Sequence, residues 1–253
     1  MLAAERKRRI VDYVRSNRSA TVGVLAQQFG VHEATIRRDL SEIEQNGMLR
    51  RTHGGVVVEE WTNNEPAFTE RSTQSADEKR RIGRMAASLV EDGDSIIIDS
   101  GTTTMHIARN LVNHSHLTVI TNDINVAGEL RDAPGVRVIV TGGELYPSSY
   151  MLNGMLTDHA LNTIHVVKAF IGMTVIHPQH GLMNPDAMLV PAKQAMIRAA
   201  QEIIVAADHT KLGKLSLHKV APIESVHTLI TGAEARQEEL DAFRASGVHV
   251  YAV

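Results

Sequence analysis

The chain has 253 residues, a formal net charge of −3 and no cysteine. That length accommodates two domains, and the missing thiols exclude disulfides, thiol catalysis and thiolate metal sites. Residues 1–55 carry ten Lys/Arg against six Asp/Glu and the rest sixteen against twenty-three, so a basic head, expected to meet phosphate backbone, precedes an acidic body.

The opening stretch MLAAERKRRIVDYV has no apolar core of a secretory signal. No apolar run approaches bilayer-spanning length, so the expectation is a cytoplasmic protein with no membrane partner. Apolar periodicity predicts a helix over 21–29, broken by Gly30, and a second over 32–46, stopped by Gly47. Two short helices around a glycine turn form a helix-turn-helix, whose second helix enters the major groove. Residues 48–56, with Arg50, Arg51 and His53, predict a β-hairpin wing that completes a winged helix-turn-helix domain over 1–56.

In the second helix Ile36, Leu40 and Ile43 recur at i, i+4, i+7 and form the buried stripe. The opposite face offers Thr35, Arg37, Arg38 and Ser41 to base edges and phosphates. Glu33 lies in the first turn, where the helix dipole favours an anion, and can accept from a cytosine amino group. Together with Thr21, His32, Arg50, Arg51 and His53 these are the candidate contacts to double-stranded operator DNA. A charged helix face is ordinarily just solvated; the preceding helix, the glycine turn and the basic wing argue otherwise.

Residues 57–76 are polar and without a core period, and read as a linker; a helix is expected over 77–90. Ile- and Val-rich runs follow at 95–98, 117–120, 136–140, 166–173, 203–207, 227–231 and 248–253. Helical patterns lie between them near 104–111, 126–131, 157–163, 191–201 and 234–246. Continuous apolar strands alternating with helices predict an α/β domain over 77–253 with a mostly parallel sheet.

Ligands of such sheets bind beyond the carboxyl ends of the strands. There the sequence places Ser100, Gly101, Thr102, Thr103 and Thr104 at a helix start, a ready anion site of N–H groups, hydroxyls and dipole. Asn122 follows the second run; Gly142, Gly143 and Glu144 follow the third; Asp208 and Lys211 follow the fifth. Each has a plainer reading: a helix cap for Thr102, a turn for the glycines, a surface ion pair for Asp208 and Lys211. The thirteen histidines lack metal-site spacing, so neither metal nor cofactor is expected.

The head, followed in order by SGTTT, TGGEL and DHTKLG, resembles the DeoR family of transcriptional regulators over nearly the whole chain. The resemblance implies a sensor domain similar to ribose-5-phosphate isomerase and CoA transferases. It implies a repressor of sugar catabolism that responds to a small anionic effector, a phosphorylated sugar; because one winged head covers only a short half-site, a homo-oligomer (dimer or tetramer) is expected as well. Carried over, Ser100 to Thr104 match the phosphate loop; Asn122, Gly142, Gly143 and Glu144 match the pocket rim. Asp208 and Lys211 match a polar pair facing the sugar, and Lys193 a basic position on the preceding helix. The chain departs from the family pattern at Gly154-Met155, at Val167 and over 174–180. An enzyme of the sugar-phosphate isomerase type with a DNA-binding appendage is the competing reading, since Asp208 and Lys211 suit proton transfer beside a carbonyl.

Overall fold

The computed structural model describes residues 3–17, 19–45, 49–52, 54–57, 65–146 and 149–253. The chain divides into two units, Met1–Glu60 and Trp61–Val253.

The first unit runs α1 (Ala3–Asn17), β1 (Ser19–Thr21), α2 (Val22–Phe29), α3 (Glu33–Gln45), β2 (Arg50–Thr52) and β3 (Gly55–Val57). Its strands form an antiparallel sheet in the order β1-β3-β2. Thr21 caps α2 by accepting from the Val24 N–H at 3.2 Å. Gly30 ends α2 with φ +62°, a left-handed conformation suited to glycine, and its N–H returns to the carbonyls of Ala26 and Gln27. Ile36, Leu40 and Ile43 are buried against Ile10, Val14, Leu25, Leu49 and Val56. The sequence reading placed no helix before residue 21. α1 is nevertheless a core element: Ile10, Val11 and Val14 are buried, and two of its charges pair across to α3. Arg6 holds Asp39 through Nε and Nη2 at 2.6 and 3.1 Å, and Lys7 meets Glu42 at 2.6 Å. Gly47 and His53 lie outside the described residues.

The second unit begins with α4 (Phe68–Thr73) and α5 (Ala76–Ala87). α4 lies in the stretch read as a linker. It forms because Phe68 is buried, edge-on to the Tyr150 ring at 5.4 Å between centroids. The chain then gives β4 (Ser95–Ile98), α6 (Thr104–Arg109), β5 (Leu117–Thr121), α7 (Ile124–Leu130) and β6 (Val136–Val140). A hairpin of β7 (Glu144–Tyr146) and β8 (Met151–Asn153) precedes α8 (Met155–Asn162) and β9 (Val166–Ile171). β10 (Val175–His177) and β11 (Gly181–Asn184) form a small antiparallel sheet, completed after α9 (Val190–Ala199) and β12 (Ala200–Ala206) by β13 (His218–Ala221). β14 (Thr228–Thr231), α10 (Gln237–Ala245) and β15 (His249–Ala252) finish the unit.

Seven strands make one parallel sheet in the order β15-β14-β12-β9-β4-β5-β6. Successive residues face opposite sides. Ile96 and Ile98 pack with Ile82, Ile107 and Val126 on one face, and Ile97 with Leu161, Met196 and Phe243 on the other. Burial on both faces is why these strands read as unbroken apolar runs. The chain proceeds from β4 outward through β5 to β6, then returns to pair β9 on the other side of β4. The strand order therefore reverses between β4 and β9, and the crevice at that reversal is the expected ligand site. No described helix is long and apolar enough to cross a membrane.

Candidate functional site

The candidate residues fall on two surfaces: the outer face of α3 in the head, and a cavity in the second unit. On α3, Arg38 leaves 85% of its side chain exposed and Arg37 61%. Arg37 pairs with Glu33 at 3.0 Å, one helical turn back. Ser41 accepts from Arg51 Nη1 of the wing at 2.6 Å, and the Arg51 N–H donates to Glu44 at 2.9 Å, so the wing is tied to the helix it flanks. His32 Nδ1 accepts the Ala34 N–H at 3.2 Å and caps the start of α3. Thr21 is spent on capping α2, and Thr35 is half-buried. Arg50 is in the wing strand β2, and His53 lies outside the described residues. Thr35, Arg37 and Arg38 thus stand along one turn of a helix whose other side is core.

The cavity opens at the carboxyl ends of three adjacent strands: β4, β9 and β12. Ser100, Gly101, Thr102 and Thr103 come from the loop after β4, Thr174 from beyond β9, and Asp208 and Lys211 from beyond β12. Lys193 enters from α9. These seven of the twelve sequence candidates (Ser100, Gly101, Thr102, Thr103, Lys193, Asp208, Lys211) are brought together. The loop is held by carboxylates beneath it. Asp99 accepts from the Ser100 N–H at 2.8 Å and the Gly172 N–H at 3.1 Å, and Asp123 accepts from the Gly101 N–H at 3.2 Å. Those two loop N–H groups are therefore already engaged. The hydroxyls of Thr102 and Thr103 and their own N–H groups are what the loop offers a ligand. Burial pushes the Asp123 carboxyl up to about 6 against three backbone donors.

Lys193 donates to Asp99 and, at 2.7 Å, to the Gly172 carbonyl. Both charges are almost fully buried. Burial pushes the Asp99 carboxyl upward, with the Lys193 charge opposing. Asp208 caps the turn His209–Lys211 by accepting from the Thr210 N–H at 3.1 Å.

The remaining five candidates lie elsewhere. Thr104 is fully buried, and its hydroxyl donates to the Gly101 carbonyl at 3.0 Å, closing the loop from below. Asn122 follows β5 and Gly142, Gly143 and Glu144 follow β6, outward of the strand-order reversal. The β7–β8 hairpin covers that flank: Asn122 Nδ2 donates to the Leu152 carbonyl at 3.1 Å. The double glycine makes the turn into the hairpin. Gly143 has φ +124°, and a Cβ there would meet the Asn153 carbonyl oxygen at 2.5 Å. Gly142 accepts from the Thr157 hydroxyl at 2.6 Å, and Glu144 is exposed.

Sequence reasoning missed Glu65, Arg71 and Lys79, which also line the cavity. Glu65 and Arg71 sit in the apparent linker. Lys79 occupies the inner row of α5 with Ile82 and Ala86, and a lysine at i−3 and i−7 of a buried stripe was the available signal. Burial lowers the Lys79 pKa, with Asp208 opposing.

A family model for the DeoR-like helix-turn-helix domain matches residues 6–62, and one for the DeoR C terminal sensor domain matches residues 74–233. The chain is 31% identical to the HTH-type transcriptional regulator GolR of Listeria innocua, covering 99% of this chain and 98% of the relative. It is 34% identical to the HTH-type transcriptional repressor GlcR of Bacillus subtilis over 99% of this chain and 96% of the relative. Among solved structures, ribose 5 phosphate isomerase A from Neisseria gonorrhoeae aligns with 55% of this chain and 53% of its own, at TM-score 0.40 and 14% identity. With both domain models matched in order and relatives similar from end to end, the chain belongs to the DeoR family of DNA-binding transcriptional regulators and is not an enzyme.

Proposed function

We propose that this regulator represses a carbohydrate-catabolism operon and is released by a small anionic metabolite, a phosphorylated sugar, bound in the cavity. The observation that carries the reading is the set of groups converging at three strand ends. Thr102, Thr103, Lys193, Lys211 and Asp208 line the same cavity. Hydroxyls and backbone donors at a helix start suit a phosphate, Lys211 adds a charge-assisted contact, and Asp208 accepts from a sugar hydroxyl. Thr104, Asn122, Gly142, Gly143 and Glu144 have no part in it.

Operator DNA is read by α3, with Thr35, Arg37 and Arg38 at base edges, while Arg50 and Arg51 of the wing neutralise phosphates. One winged head covers a short half-site, so two copies of the chain read a paired site and the working form is a homo-oligomer. Ligand and DNA must bind with unequal preference for two states of the chain, typically by about 1–3 kcal/mol.

A thermal-shift screen of pentose and hexose phosphates identifies the ligand, since one that binds only the folded state raises Tm by mass action. Operator binding of Thr103→Ala and Lys211→Ala is then followed by fluorescence anisotropy with and without it. Both variants are expected to bind operator and ignore the ligand. A variant that lost operator binding but kept the ligand would instead give this loop a purely structural role.

A further inference from the structure

Arg71 is the cavity residue with the least explained position. Its guanidinium lies 2.8 Å from the Glu65 carboxylate and donates through Nε to the Pro66 carbonyl at 2.8 Å. The pair is largely buried, with 10% of the Arg71 side chain and 22% of the Glu65 side chain exposed. From within, Lys79 donates to the Arg71 carbonyl at 2.6 Å while its ammonium stands 3.8 Å from Asp208. Segment 65–71 is therefore fastened by two cations, and both face the same cavity as the hydroxyls of Thr102 and Thr103. A second cavity adjoins the first through Glu65, Arg71, Ser149 and Leu189, and is bordered further out by Tyr146 and His218.

We propose that Arg71 is a ligand-binding residue and that Glu65 is its built-in competitor, occupying the guanidinium until an anionic ligand displaces it. This rests on the anion-site reading above and adds to it the device by which occupancy is felt. A largely buried guanidinium left without a partner is strongly unfavourable, so Arg71 holds either Glu65 or the ligand. Its planar fork fits carboxylate and phosphate alike, which makes the exchange nearly balanced and therefore sensitive to ligand. The displaced Glu65 side chain has the outer cavity to enter. Because Glu65 and Pro66 follow shortly after the end of the head unit at Glu60, the exchange alters the chain where the two units join in sequence. A ligand with different affinity for the two arrangements shifts their populations, as a regulator requires.

The test uses the full-length chain and its one tryptophan, Trp61, close in sequence to Glu65. Inorganic phosphate and a panel of pentose and hexose phosphates, including ribose 5-phosphate and glucose 6-phosphate, are titrated by calorimetry and by tryptophan emission. Glu65→Gln removes the competitor and is expected to tighten binding of the responsive phosphate about tenfold; Arg71→Gln is expected to weaken it by at least as much. Wild-type emission should change on titration, whereas Glu65→Gln should start near the ligand-bound emission and change little. Tightening cannot come from misfolding, so Glu65→Gln keeps the test meaningful even if Arg71→Gln is unstable. If Thr103→Ala weakens binding while Glu65→Gln and Arg71→Gln leave it unchanged, the exchange is wrong and the cavity reading survives. If no phosphate in the panel binds the wild-type chain, both fall.

Discussion

The head and the sensor unit both depend on positive charge, yet they hold it in opposite ways. Arg37 and Arg38 on α3 are mostly in solvent, and among the described residues they pair with Glu33 and Glu42 on their own helix. Such pairs are worth little and are easily traded for phosphates or base edges. In the sensor unit Lys193, Lys79 and Arg71 are buried and committed to Asp99, Asp208 and Glu65. Breaking one of those pairs strands a charge in a poorly solvated place. The exposed face of α3 is thus loosely held and ready to change partners. The cavity, apart from Lys211 and the Thr102 and Thr103 hydroxyls, is an electrostatically closed circuit in which a newcomer at Arg71 must replace something.

Removing one member of the innermost pair gives the largest expected effect. Lys193→Met leaves Asp99 buried with only two backbone donors and should destabilise the sensor unit by about 3–5 kcal/mol, read as a loss of unfolding free energy in urea. Adding Asp99→Asn should recover much of that loss, because the stranded charge goes too. If the single variant were as stable as wild type, the closed-circuit description would be broken. On the head the corresponding changes act on binding. Arg38→Ala and Thr35→Ala should each weaken specific operator binding by about 1–3 kcal/mol. Arg51→Ala should weaken all sequences alike and flatten the salt dependence by about one unit of slope. Equal affinity of all three variants for operator would remove α3 and the wing from the DNA interface.

The same contrast explains what the sequence made legible. The head was readable because helix capping, the Gly30 turn and the Ile36–Leu40–Ile43 stripe are local signals, each confined to a few consecutive residues. The parallel sheet was readable because double-sided burial writes itself as apolar runs. The strand ends Ser100, Asp208 and Lys211 were readable once the sheet was assumed. Strand order was not, and it decides the rest. Residues after β5 and β6 look in sequence much like those after β4 and β12. Only the reversal between β4 and β9 separates Asn122 and Gly142 from Thr103. Arg71 and Lys79 carry no strand-end signature, because they reach the cavity by tertiary packing of α4 and α5. α1 went unread because its pairing residues, Arg6 and Lys7, look like solvated charge until Asp39 and Glu42 are placed opposite them.

A buried titratable group in the sensor unit sharpens the comparison by pH. His106 on α6 is held down from 6.5 to about 4, chiefly by burial and then by the charges of Arg109 and Arg80. Its folded pKa lies below the unfolded one, so the neutral ring's contribution is complete above pH 6.5 and is lost as pH falls toward 4. The wild-type Tm should therefore fall over that interval, and His106→Gln should fall less steeply. Parallel curves for the two proteins would mean that His106 titrates as it does in the unfolded chain.

The smallest expected effect on stability belongs to Arg37, and it is the most discriminating. Its ion pair with Glu33 is an exposed i, i+4 contact at 3.0 Å, with 61% of the Arg37 side chain and 49% of the Glu33 side chain in solvent. Exposed pairs of this spacing contribute about 0.3–0.5 kcal/mol and less as salt rises. Arg37→Ala should accordingly leave urea unfolding within about 0.5 kcal/mol of wild type, a small fraction of the loss expected at Lys193. Operator binding should nevertheless weaken measurably, because the guanidinium that leaves Glu33 in the complex finds no substitute on alanine. Glu33→Gln provides the opposite arm: it frees Arg37 without removing it, so binding should hold or tighten unless Glu33 itself accepts from a base. Arg37→Ala losing stability as Lys193→Met does would show that the α3 surface is held as tightly as the cavity, and the division between a loosely held reading face and a closed sensing site would have to be given up.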